Sequence, residues 1–177
     1  VVGTYCRYNS SRICNFTDDG MVGEMISYSK YFTFMELTDS DSHPELVVKN
    51  RADAIKYQNA GKRLSKLLES IRHILGDKSI TVSSGFRNPE LNLAIKSKAK
   101  NSKHTLFEAA DIVPNGMSIK EAFTALIMAQ KGGLLPDLRK VIREDHKGIL
   151  HVEVKMSAQE EHSFYTTNDN INFKGVA

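Results

Sequence analysis

Long apolar runs are missing from this chain. No stretch approaches the roughly 18 residues that a membrane-spanning helix requires, and no membrane association is expected. Charge of one sign is also scarce: the formal net charge is only +3, too little for the basic footprint of a nucleic-acid binder. No nucleic-acid partner is expected. Cysteine is limited to Cys6 and Cys14, which allow either one small-loop disulfide or two free thiols and make no zinc site by themselves. The opening residues Val1-Val2-Gly3-Thr4-Tyr5 carry neither a basic region nor a long apolar one, so no secretory signal is legible. Asn9-Ser10-Ser11 and Asn15-Phe16-Thr17 match the glycosylation sequon, a pattern short enough to arise by chance. Internal repeats and low-complexity tracts are absent as well.

What is present suits one compact domain. With 177 residues, 41% of them hydrophobic and 25% charged, the chain can bury a real core. Residues 1–26 are polar and aperiodic and read as an N-terminal appendage or leader, with Met21 or Met25 as alternative starts. Residues 27–156 carry the periodic patterns of a domain. From about Lys49 onward a helix is predicted, because Leu64, Leu67, Leu68, Ile71, Ile74 and Leu75 recur at three- and four-residue steps until Gly76 stops them. The run Ser79-Ile80-Thr81-Val82-Ser83-Ser84 alternates and predicts a strand. Asn88-Pro89 predicts a helix start that runs to about Lys98. Ser118 and Glu121 form a capping box ahead of Ala122, Phe123, Leu126 and Ile127, in a helix ending at Gly132-Gly133. Residues 140–144 and 149–154, around a turn at 145–148, read as a β-hairpin. Residues 157–177 are polar and Asn-rich and read as a loosely held tail. Helices segregated from short antiparallel strands predict an α+β fold.

Candidate chemistry lies in two places. His104 and Asp111 share the segment Ser102-Lys103-His104-Thr105-Leu106-Phe107-Glu108-Ala109-Ala110-Asp111, and His151 opens His151-Val152-Glu153-Val154. Two imidazoles and one carboxylate suit a divalent zinc with one position left open for water. On a helix, His104 and Asp111 would stand about 10 Å apart along the axis, too far for ligands that each sit about 2 Å from one ion. The chain must therefore turn between them, and Asp111 is expected on a strand, Asp111-Ile112-Val113. Taken alone, His104 reads as a surface histidine and His151 as a half-buried strand residue. Asp111 resists such a reading, because an unpaired carboxylate on an apolar strand is costly to bury. His43, Asp39 and Asp41 are explained by the turn ahead of Pro44, while His73 belongs to a helix and His162 to the tail.

Three segments together resemble one family. Ser84-Gly85-Phe86-Arg87-Asn88-Pro89-Glu90-Leu91-Asn92, then Ser102-x-His104 through Ala109-Ala110-Asp111, then Ile149-Leu150-His151-Val152 are similar to the signature blocks of the M15 zinc peptidases. These are D-alanyl-D-alanine carboxypeptidases and dipeptidases and phage wall-lytic peptidases, and they share a fold with hedgehog signalling domains. Tyr31-Phe32-Thr33-Phe34-Met35-Glu36-Leu37-Thr38-Asp39-Ser40-Asp41 resembles the opening of the small phage-type branch, so the likeness spans roughly residues 30–155. It implies a small antiparallel sheet with helices packed on one side and a zinc groove on the other. It also implies zinc held by His104, Asp111 and His151, Arg87 as the cation that binds and polarises the scissile carbonyl, and Ser102 as a substrate contact. The implied activity is hydrolysis of peptidoglycan peptides by a monomer made in the cytoplasm and acting at a bacterial cell wall, in a host cell or from a virion. The alternative is a catalytically silent domain that keeps zinc as a structural or wall-binding element, as the hedgehog branch does.

Two positions depart from the family pattern. Phe107 stands where a glycine usually follows the first histidine, and is expected to narrow the groove or to force a different turn. Gly148 stands where many members carry the catalytic carboxylate. Glu144 is the replacement, since Lys140-Val141-Ile142-Arg143-Glu144 resembles the Gln-Leu-Ile-x-Glu strand of the phage-type branch. Hairpin geometry supports it independently. With 145–148 as the loop, Glu144 pairs with Ile149 and Ile142 with His151, so all four share one face. Glu144 is then diagonal to His151, about 7–8 Å away between backbones. Asp145 and His146 are the alternative bases, and Arg87 has the alternative of pairing with Glu90 or Glu108.

Overall fold

The apolar steps before Gly76 do form a helix, but the helical stretch is broken in two. In the computed structural model, which describes residues 28–97, 99, 101–167 and 173–175, α1 spans Val47–Ala54 and α2 spans Gln58–Ile74, with a 3-10 turn over Ile55–Tyr57 between them. Leu64, Leu67, Leu68 and Ile71 line the buried side of α2. Gly76 takes a positive φ of 75°, and Asp77 N–H donates to the Arg72 carbonyl, a left-handed closure that suits glycine. The appendage 1–26, both cysteines and both sequons lie outside the described residues. No described helix is long and apolar enough to cross a membrane.

The remaining elements are β1 (Ile80–Ser84), α3 (Pro89–Ala94), β2 (Ala109–Pro114), α4 (Ile119–Lys131), β3 (Leu138–Glu144), β4 (Ile149–Val154), β5 (Ser163–Thr167) and β6 (Phe173–Gly175). Ser118 caps α4 through the full capping box with Glu121. Asn88 caps α3 by accepting from Leu91 N–H. That helix stops at Ala94, short of Lys98, because Lys96 turns to a positive φ of 56°.

One six-stranded sheet runs β1-β2-β4-β3-β5-β6. The α+β class is as expected, and β1, β2, β4 and β3 pair antiparallel. The hairpin register also matches the expectation, with Ile142 opposite His151 and Glu144 opposite Ile149. Beyond Met156 the structure differs from a loose tail: β5 joins β3 in parallel and β6 pairs with β5. The run Ser163-Phe164-Tyr165-Thr166-Thr167 is aromatic and β-branched, it buries Phe164, and it covers what would otherwise be an open edge of β3.

Strand alternation divides the sheet into two chemistries. Ala110, Ile112, Val141, Leu150, Val152, Val154 and Phe164 belong to one core with the buried sides of α2 and α4. The opposite phase of the same strands carries Asp111, Ile142, Glu144, His151 and Glu153. The site therefore lies on the face turned away from the helices.

Candidate metal centre

Three ligand atoms converge on that face. Asp111 and His151 are direct cross-strand partners on β2 and β4, and His104 arrives from the 3-10 turn Lys103–Leu106. His104 Nε2 lies 3.2 Å from His151 Nδ1 and 3.3 Å from Asp111 Oδ1, and His151 Nδ1 lies 2.8 Å from Asp111 Oδ1. Ligands held tetrahedrally at about 2.0–2.1 Å from zinc are themselves about 3.3 Å apart, so the set fits such an ion. Among the described residues this is the only group of His, Cys, Asp or Glu side chains so disposed. His43 pairs instead with Glu45, and Asp39 with Arg51.

The far sides of both rings are occupied, and this fixes which nitrogen faces the centre. His104 Nδ1 is 2.7 Å from the Gly85 carbonyl, which can only accept. Nδ1 therefore carries the proton, leaving the Nε2 lone pair aimed at the centre. A Cβ on Gly85 would lie 2.1 Å from the Leu37 carbonyl oxygen, so only glycine fits where that carbonyl must sit. His151 Nε2 is 3.1 Å from Glu153 Oε1, which turns Nδ1 inward.

Charge follows from burial and partners. Burial lowers the pKa of His104 below the ordinary histidine value, against the opposing pull of Asp111. For His151, burial acts downward but is outweighed by the hydrogen bonds and charges of Asp111 and Glu153, which push it up to about 9. Burial acts upward on Asp111, and the two imidazoles overcome it, holding the carboxyl well below the usual range. Without a metal the centre is thus an imidazolium–carboxylate pair beside a neutral imidazole. Each metal ligand must shed such protons to bind.

Arg87 stands at the edge of the centre. Its Nη2 is 3.5 Å from Ser102 Oγ, and its buried Nε has no hydrogen-bond partner. Burial lowers its pKa while the charges of Asp111 and Glu144 oppose that shift, so both carboxylates act on the guanidinium. The alternative partners are taken: Glu90 pairs with Lys49 and Glu108 with Lys103. Buried Asn50 holds the loop from both sides of Arg87. Its amide donates to the Thr38 and Phe86 carbonyls at 2.9 and 3.0 Å, and its carbonyl accepts from Asn88 N–H at 2.7 Å. A cavity of about 240 Å³ adjoins Arg87, bordered also by Asp39, Asp41, Ser83, Ser84 and Leu91.

Glu144 ends β3 on the metal-site face and pairs with Lys147. Asp145 instead bonds Arg143, whose guanidinium lies over the Phe123 ring of α4, on the helix side. His146 is exposed in the turn. Gly148 has a positive φ of 68° in that turn, where a carboxylate side chain would be strained. Phe107 does not narrow the groove. It adopts the left-handed φ of 60° that a glycine would take, and its ring is wholly buried against Phe86, Phe34 and Tyr28. Gly61 of α2 makes the space, since a Cβ there would lie 2.8 Å from the Phe107 ring. Asn50, Gly61 and Glu153 were not singled out from the sequence: a polar residue in a helix or strand reads as solvent-facing until its neighbours are known.

The Peptidase M15 family model matches residues 30–152 of the chain. No curated protein matches it.

Proposed function

The chain belongs to the Peptidase M15 family, and from that premise we propose that it is a zinc-dependent hydrolase of peptide bonds in bacterial peptidoglycan. The observation that carries this reading is the convergence of His104 Nε2, Asp111 Oδ1 and His151 Nδ1 within 3.3 Å of one another, with Asp111 and Glu144 both acting on the charge of Arg87. These three side chains would hold the ion. When bound, zinc supplies a Lewis acid that polarises a carbonyl and makes water more acidic.

The chain's own groups do the rest. Glu144 takes the proton of the attacking water and returns it to the leaving amine. Arg87, always cationic, binds the scissile carbonyl and stabilises its developing oxyanion. Ser102 holds the guanidinium and contacts the substrate. The catalytically silent alternative gains no support from its two motivating residues, because Phe107 points into the core and Gly148 serves the turn.

Purified bacterial wall incubated with the protein tests the reading. Chromatography should reveal released peptide fragments, absent with His104→Ala. A short wall peptide containing D-residues should be cut and its all-L analogue spared. Equal cleavage of both, or of neither by zinc-loaded protein, contradicts the wall-peptidase assignment.

A further inference from the structure

Among the described residues, Glu153 is the one buried carboxylate on the site face that the proposed chemistry leaves unused. It is 5% exposed, sits two residues after His151 on β4 and points to the same side. Its Oε1 is 3.1 Å from His151 Nε2. Its other contacts are cationic: Arg139 bonds Oε2, and Lys140 Nζ lies 3.7 Å from Oε1. Arg139 is steadied in turn by Glu160, 3.7 Å from its Nε, and Glu160 accepts from Met156 N–H at 2.9 Å. A buried carboxylate is costly unless paired, and here the pairing locks it against a single ring nitrogen.

We propose that Glu153 is a positioning residue that fixes the orientation and tautomer of His151 for metal binding. This rests on the metal-centre reading above. The carboxylate can only accept, so His151 presents Nε2–H to it, and when a metal displaces the Nδ1 proton that Asp111 accepts, the lone pair left free is the one turned toward Asp111 and His104. With Arg139 and Lys140 cancelling its charge, Glu153 acts through direction rather than net attraction for the cation. An amide in its place reverses the direction. In Glu153→Gln, Arg139 claims the amide oxygen and the NH₂ faces His151 Nε2, favouring the Nδ1–H tautomer that cannot ligate.

The test uses the full chain. Zinc affinity is measured by chelator competition, and the His151 tautomer is read from two-bond ¹⁵N–¹H NMR of the imidazole in zinc-loaded protein. Wild type should show Nε2–H with Nδ1 bound. Glu153→Gln should keep the melting behaviour of a folded domain and lose about 10- to 100-fold in zinc affinity, with a changed imidazole pattern. Glu153→Asp, which keeps an acceptor, should recover part of the loss. Unchanged affinity and tautomer in Glu153→Gln overturn the role of Glu153 while leaving the metal centre standing. Absence of zinc binding in wild type, or zinc binding that leaves the His151 signals unmoved, removes the metal centre and this proposal together.

Discussion

At the scale of single residues, Glu144 and Phe107 answer different questions with the same economy of position. Glu144 lies on the site face because a four-residue turn at 145–148 sets the hairpin phase; a turn one residue longer on one side would carry it to the helix face. The prediction is specific. Glu144→Gln should keep its zinc while turnover of a wall peptide falls by roughly two to four orders of magnitude, the usual span for a general base. Near-normal turnover in that variant means the proton goes elsewhere. Phe107 tests packing instead. Replacing it with glycine relieves a left-handed backbone worth about 1–2 kcal/mol but removes a fully buried ring worth about 3–5 kcal/mol. Denaturant unfolding should show a net loss of roughly 1–4 kcal/mol. A variant as stable as the parent would mean that the ring contributes no more than the about 1–2 kcal/mol of backbone strain it imposes.

At the scale of elements, the loop from β1 to α3 is held by α1 through Asn50, and the candidate site depends on that hold. Asn50→Ala leaves the Thr38 and Phe86 carbonyls and Asn88 N–H without their partner, at about 1–3 kcal/mol for each group left unsatisfied. Since a misplacement of about 1 Å can cost about a hundredfold in rate, peptide cleavage should fall along with stability, although Asn50 touches no proposed ligand. Unchanged unfolding and unchanged cleavage would show that Arg87 is positioned by something else. Much of this scale was legible beforehand. The Ser118 capping box, the start of α3 at Asn88-Pro89 and the register of the β3–β4 hairpin all follow from local spacing, which the sequence displays directly. The grouping of His104, Asp111 and His151 was legible for the same reason: each member sits in a short motif. What was hidden depends on long-range partners. Asn50 bonds a loop 36 residues away, Glu153 meets Arg139 across the sheet, and β5 is defined by a parallel pairing with β3. Nothing local announces any of these.

At the scale of the whole molecule, the centre joins a 3-10 turn to two central strands, so metal bound there would be linked to folding. Two protonation effects set the pH dependence. In the metal-free protein His151 is raised to about 9, above its unfolded value of about 6.5. Its contribution to stability is fully present below about pH 6.5 and is lost as pH rises through about 9. Asp111 runs the other way: its lowered pKa stabilises above the ordinary carboxylate range, and that contribution is lost as pH falls through the lowered value. Zinc must displace the His151 proton, so apparent zinc affinity should rise about tenfold per pH unit between about pH 6.5 and 8.5. The difference in melting temperature between zinc-loaded and zinc-free protein should widen over the same interval. Chelator competition at three pH values checks this, and a flat profile contradicts the assignment of His151 as a protonated partner in the empty centre.

The central claim is that His104, Asp111 and His151 form one zinc site, and elemental analysis of purified protein tests it most directly. Wild type and Glu144→Gln should each carry one zinc per chain, and His104→Ala should retain almost none, because two ligands hold zinc far less firmly than three. Full zinc occupancy in His104→Ala would contradict the account.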